Sequence, residues 1–233
     1  MCKMKKIILA ISFLFVFIVS ALAQGSDFQR AVAHFKGYAA TAIATRTTHK
    51  AALAKDATAQ GTLTMSQPAK VEIAIDGGKD ALLMEGSTFT MTVKGKKHVT
   101  TSQQNPQFAT FQKVFEAILA GGTQDIAALK EVSIKKDGKL LVLTITPEAA
   151  DKKQQRRMMF SSFVLTIDAA TSQLRSLRMN EKAGNYTEYT FTVFQFKYLV
   201  IGFVDNFSRP AGNFHCLGVF FYEGVNVAHT LLF

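Results

Sequence analysis

The chain has 233 residues, of which 48% are hydrophobic and 19% charged, a balance that suits one large or two small folded domains rather than a disordered chain or a coiled coil. Lys and Arg number 27 against 17 Asp and Glu, a formal charge of +10. There is no Trp, and Cys2 and Cys216 are too few for a Cys-rich metal site or a disulfide scaffold; the composition also disfavours nucleic-acid arms, collagen-like repeats and zinc modules.

Residues 1–23 read as a cleavable secretory signal. Lys3, Lys5 and Lys6 form a basic start, Ile7 to Val19 an apolar run, and Ala21-Leu22-Ala23 an A-x-A cleavage site. Met4 opens a more usual Met-Lys-Lys signal than Met1 does. Cleavage would place the protein outside the cytoplasm with Cys216 as its sole cysteine, so no intrachain disulfide is expected.

Residues 24–197 read as one repeat-free body. Ser26 is placed to cap a helix over residues 27–35 whose Phe28, Val32 and Phe35 share a face, and Gly37 ends it. Period-two patterning follows. Leu63 and Met65 alternate with Thr and Ser until Pro68, and Val71, Ile73 and Ile75 lead to an Asp76-Gly77-Gly78 turn. Phe89, Met91 and Val93 alternate with Thr88, Thr90 and Thr92 before Gly95 turns the chain back.

A second helix interrupts the strands. Asn105 suits its N-cap and Pro106 its first position, and Gly121-Gly122 stops it. Phe108, Phe111, Phe115, Ile118 and Leu119 fall on one wide apolar stripe. Alternation then resumes. Val132 and Ile134 run to Asp137-Gly138, a hairpin signal, and Leu141, Leu143 and Ile145 run back. Met159, Phe163, Leu165 and Ile167 precede a turn at 168–172, followed by Leu174, Leu177 and Met179. Gly184-Asn185 turns into a Thr-, Tyr- and Phe-rich run over 186–196. Met65, Met84, Met91, Met159 and Met179 are all expected on strands.

These elements predict a mainly β (α+β) domain: about ten short-linked strands in one strongly curved antiparallel sheet. So many strands against two helices leave either an apolar hollow or a solid interdigitated core, and the pattern alone permits both. The basic runs, Lys94 to His98 and Lys152, Lys153, Arg156 and Arg157, fall at predicted turns. They read as solvated loop charge or as weak attraction to an anionic membrane or an acidic partner. Residues 198–233 form an atypical hydrophobic tail: eight aromatics and only Asp205, Arg209 and Glu223 as charges.

Candidate chemistry is sparse. His34, His49, His98, His215 and His229 are scattered with no metal-binding spacing, and neither a G-x-S-x-G nor a P-loop is present. No enzyme activity, cofactor, metal or nucleic-acid partner is expected.

The ordered set formed by residues 61–71, 80–89, Asn105-Pro106 with its helix, 160–165 and 178–187 resembles the periplasmic outer-membrane lipoprotein carrier family, LolA, in a divergent Bacteroidetes-like form. The resemblance implies an open half-barrel with a helical lid, holding lipoprotein acyl chains on their way from the inner to the outer membrane. It implies a monomer, loaded by an inner-membrane lipoprotein-releasing ABC transporter and unloaded to an outer-membrane acceptor. On that basis Leu63, Met65, Val71, Ile73, Phe89, Met91, Phe163 and Leu165 are the expected acyl-chain walls, and Phe108, Phe111, Phe115 and Ile118 the lid. The family's better-known members carry an Arg, tied to lid closure, directly before the Pro of the second strand; this chain has Gln67 there. A lipoprotein-sensing regulator on the same half-barrel is the alternative.

Overall fold

The computed structural model describes residues 25–149, 151–200 and 220–221. The expected signal segment and nearly all of the tail lie outside the described residues. Helix α1 covers residues 25–32 and runs into a 3-10 turn, Ala33–Phe35. The strands are β1 (Tyr38–His49), β2 (Ala57–Ser66), β3 (Lys70–Ile75), β4 (Asp80–Glu85), β5 (Thr88–Val93) and β6 (Lys96–Thr101), then β7 (Val132–Asp137), β8 (Leu140–Ile145), β9 (Phe160–Asp168), β10 (Gln173–Glu181) and β11 (Tyr186–Val200). Between β6 and β7 lies helix α2 (Ala109–Leu119), and between β8 and β9 the short α3 (Lys152–Arg157). A two-residue strand, β12 (Phe220–Phe221), pairs with the end of β11.

The eleven longer strands make one antiparallel sheet in the order β6-β5-β4-β3-β2-β1-β11-β10-β9-β8-β7. Pairing of β1 with β11 joins the two halves of the chain, and among the described residues β6 and β7 are the edge strands. The expected open, curved antiparallel half-barrel is therefore present. The inward residues of nearly every strand enter one core with α1 and α2.

Strand β1, the central strand, is absent from the sequence reading. Its inward residues are Ala40, Ala42 and Ala44, which contrast too weakly with the intervening Thr41 and the outward-facing Ile43 to announce a strand. Register places Ala40 beside Met65 and Ala42 beside Leu63, so small side chains line the floor beneath the helices. Gly61 sits between Ala44 and Ile75, where a Cβ would lie 1.9 Å from the carbonyl oxygen of Ala74.

A bulge in β11 re-aims its aromatic residues. Thr41 pairs with Gln195 and Ile43 with Thr192, so Ala42 alone faces Val193 and Phe194. Val193 takes a φ of 50° to absorb the extra residue. The inward phase set by Tyr189 and Phe191 is thereby shifted to Phe194 and Phe196, which stack edge-on against Phe35 with centroids 6.1 and 5.0 Å away. The end of α1 is held down in this way.

Four local expectations change. Gly25 is already helical, so Ser26 lies inside α1 and not at its N-cap position. Asn105 occupies the N-cap position of a 3-10 turn, Pro106–Phe108, that leads into α2, but its side chain caps no backbone N–H; its Oδ1 accepts from Gln107 Nε2 instead. Residues 152–157 form a helix where a turn was expected, because Asp151 caps it through Oδ1 to the Gln154 N–H and Lys182 Nζ donates to the carbonyls of Gln155 and Arg156. Met159 lies in the link before β9 and is 53% exposed, so it is not a strand residue.

Candidate functional site

The apolar stripe of α2 points into the concave face. Phe108 stacks on Phe89 of β5 at 4.1 Å between centroids and meets Phe160 and Phe163 of β9 at 6.0 and 6.1 Å. Phe111 lies 4.5 Å from Phe163 and 4.9 Å from Phe115. Of the expected wall residues, Leu63, Met65, Val71, Ile73, Phe89, Phe163 and Leu165 are buried in the same cluster as Phe108, Phe111, Phe115 and Ile118, and Met91 is packed against it half-buried. The twelve predicted site residues therefore stand together, with the middle of the half-barrel filled by aromatic rings from both sheet and helix.

Two glutamine amides hold α2 at its ends. At the C-terminal end, Gly122 N–H donates to Ala117 O and Gly121 N–H to Ile118 O, both glycines having positive φ. The carbonyl of Leu119 is left over, and Gln67 Nε2 donates to it and, at 3.0 Å, to Phe35 O at the end of α1. One amide thus ties both helix ends to the β2–β3 turn. At the other end Gln107, almost fully buried, accepts at Oε1 from the N–H groups of Met159 and Phe160 at 3.1 and 3.2 Å. Gln67→Leu would leave two helix-end carbonyls without this donor, at a cost of about 1–3 kcal/mol. We expect a lower Tm and faster amide exchange in α2, read by hydrogen-exchange mass spectrometry; unchanged α2 exchange would contradict the clip.

A hollow remains at the end of the sheet where β1 finishes and β4, β9 and β11 begin. It has a volume of about 140 Å³ and is lined by polar Arg46, Asp80 and Tyr189 and by apolar Met91, Phe160 and Met179. Arg46 Nη1 donates to Asp80 Oδ2 at 2.6 Å, and the Lys94 N–H donates to Asp80 Oδ1 at 2.7 Å. The Lys94 bond, then the Arg46 bond, hold the Asp80 carboxyl below its ordinary range. Burial pushes the Tyr189 phenol up from 10 to about 12, with Arg46 opposing and Asp80 adding to the shift. Below pH 10 the phenol is protonated in folded and unfolded chains alike. Between pH 10 and about 12 the unfolded chain ionises first, so stability falls as pH rises, by roughly 3 kcal/mol at most from this residue. Tyr189→Phe should remove that share of the alkaline loss in a pH series of denaturant melts; an identical loss in the variant would contradict it.

A family model described as outer membrane lipoprotein carrier protein LolA matches residues 41–199. The chain belongs to the LolA family. Solved structures similar to this LolA-family chain include a domain from Vibrio parahaemolyticus named for outer-membrane lipoprotein sorting, 13% identical, covering 76% of this chain and 93% of that one at a TM-score of 0.39. A DUF1329 family protein from Desulfovibrio piger is 12% identical, covering 76% and 92% at 0.39. The lipoprotein LppX of Mycobacterium tuberculosis is 12% identical, covering 74% and 94% at 0.30. No curated protein matches the chain.

In this LolA-family chain, Gln67 stands where the resemblance implies an Arg, and it bonds to the carbonyls at both helix ends without carrying charge. The sequence reading did not single out Gln107, Arg46, Asp80 or Tyr189. Arg46 and Asp80 are 34 residues apart, and only the β1–β2–β3–β4 ladder brings them together. Gln107 had only a weak local signal, a polar residue directly before Phe108, the first residue of the apolar stripe. Among the described residues no group of three or more His, Cys, Asp or Glu is placed to hold a metal, and no helix is long and apolar enough to cross a membrane.

Proposed function

We propose that the protein is a periplasmic carrier that shelters lipoprotein acyl chains between its sheet and α2. An exposed chain of about 15 methylenes costs roughly 12 kcal/mol in water, which is the work such a carrier does. The observation that supports the reading is that a single helix, separate from the strand ladder, fills the concave face. Phe108, Phe111 and Phe115 fill the concavity from a helix fastened by two side-chain amides, so swinging α2 away exposes a Phe-, Leu- and Met-lined trough. Acyl chains compete with these rings for the same surface. That competition lowers net affinity and allows release without any chemical step. Met65 and Met84, flexible and buried in the trough, adapt the walls to chains of different shape.

The carrier receives its cargo from an inner-membrane lipoprotein-releasing ABC transporter, works as a monomer, and hands cargo to an outer-membrane acceptor. Leu63, Met65, Val71, Ile73, Phe89, Met91, Phe163 and Leu165 are the walls, and Phe108, Phe111, Phe115 and Ile118 the lid. Native mass spectrometry of the protein purified from a bacterial periplasm tests this. Co-purified triacylated lipoprotein is the expected result. An empty protein that binds only a signalling protein would favour a lipoprotein-sensing regulator instead.

A further inference from the structure

The hollow at the sheet end differs in chemistry from the aromatic trough it adjoins. Its volume, about 140 Å³, is near that of an engineered cavity of about 150 Å³ that takes a benzene molecule, so it suits one small group and not an acyl chain. Phe160 forms the wall between it and the aromatic cluster, its ring 6.0 Å from Phe108 and 5.3 Å from Phe163. Arg46 spends one N–H on Asp80, and its other guanidinium donors have no acceptor among the described residues. The Tyr189 residue is 7% exposed, and no hydrogen bond to its hydroxyl is formed among the described residues. Donors not used within the described protein thus line a nook that solvent reaches, whose wall combines apolar Met91, Met179 and Phe160 with Thr48, Thr187 and Glu181.

We propose that this nook seats the carbonyl end of the acyl chains, with Arg46 and Tyr189 donating hydrogen bonds to ester or amide oxygens while the hydrocarbon takes the place of the aromatic rings beyond Phe160. The charges select a neutral acceptor. Asp80 cancels the charge of Arg46 at 2.6 Å, and Glu181 also lines the nook, paired with Lys50 at 2.7 Å. A free carboxylate or phosphate would sit beside two carboxylates, whereas a carbonyl oxygen gains the donors without that repulsion. Ester and amide carbonyls are the polar groups that join acyl chains to a lipidated protein terminus, so the site reads the junction between grease and peptide. The inference rests on the carrier reading and deepens it.

Two fluorescent ligands test it: a fluorophore joined to a 16-carbon chain through an acyl ester, and the same fluorophore on a plain 16-carbon alkyl chain without a carbonyl. The wild-type protein should bind the ester about tenfold more tightly. Arg46→Met should remove that preference and leave alkyl affinity within about twofold. Tyr189→Phe, which keeps the ring and its packing, should weaken ester binding several-fold and leave alkyl binding unchanged; it decides the matter if Arg46→Met fails to fold. Equal wild-type binding of both ligands, or an ester preference that survives in Tyr189→Phe and Arg46→Met, overturns the junction site and leaves the carrier reading standing. Binding of neither ligand overturns the carrier reading and this inference with it.

Discussion

Phe111→Asp is expected to abolish acyl loading and to detach α2 from the sheet. The ring is fully buried, 4.5 Å from Phe163, 4.9 Å from Phe115 and 6.2 Å from Phe89. Deleting a buried Phe costs about 3–5 kcal/mol, and a carboxylate in the same place adds a desolvation penalty of several more. That rivals the whole stability of a domain, about 5–15 kcal/mol. The fate of the sheet separates a lid from an ordinary core residue. Phe111 lies on a helix that is joined to the sheet by its apolar stripe and by amide bonds at its two ends and that contributes no hydrogen bond to the strand ladder, so on the lid reading the eleven-stranded ladder should persist while residues 109–119 lose amide protection. Phe111→Leu, which keeps an apolar side chain, should cost only about 1 kcal/mol and retain loading. Circular dichroism, hydrogen exchange and a lipopeptide-binding titration on the three proteins check this. Wild-type loading by Phe111→Asp would remove the lid role. Collapse of sheet and helix together would mark Phe111 as plain core.

Gly61→Ala is expected to prevent folding to a soluble protein. Its Cβ would lie 1.9 Å from Ala74 O and 2.8 Å from Ile75 Cα, and both are backbone atoms that no side-chain rotation can move. Relief requires breaking the β2–β3 ladder in the half of the sheet that carries Leu63, Met65, Val71 and Ile73. A loss beyond about 4–5 kcal/mol is the expected scale. Gly138→Ala, in the β7–β8 turn with nothing within 4 Å of its Cβ and a φ of +59°, should cost only about 1 kcal/mol. Soluble yield and Tm of the two variants provide the check; a Gly61→Ala protein melting within a few degrees of wild type would contradict the clash.

Much of this was legible from period and punctuation. The alternation around Val71, Phe89, Leu141 and Leu165 marked strands, and the stripe from Phe108 to Leu119 marked the covering helix, because both periods survive as one buried face each. What escaped did so for physical reasons. An Ala/Thr strand such as β1 carries little hydropathy contrast, although it is central. The bulge at Val193 shifts the phase of β11 in a way that depends on pairing with β1. A polar site such as Arg46–Asp80–Tyr189 is assembled across three strands, so no local spacing encodes it. Whether the concavity is filled also lay beyond the pattern, which gave the same apolar stripe for a roof and for a core. The structure shows the concave face filled by α2, with Gln67 and Gln107 bonded at the two ends of that helix.

The central claim is that α2 yields its place to acyl chains. Hydrogen-exchange mass spectrometry of the whole protein, with and without a triacylated lipopeptide, measures that directly. The account predicts stoichiometric uptake with faster exchange confined to residues 106–119, while β2, β3, β9 and β10 stay protected. No uptake, or uptake with the exchange of α2 unchanged, would contradict it.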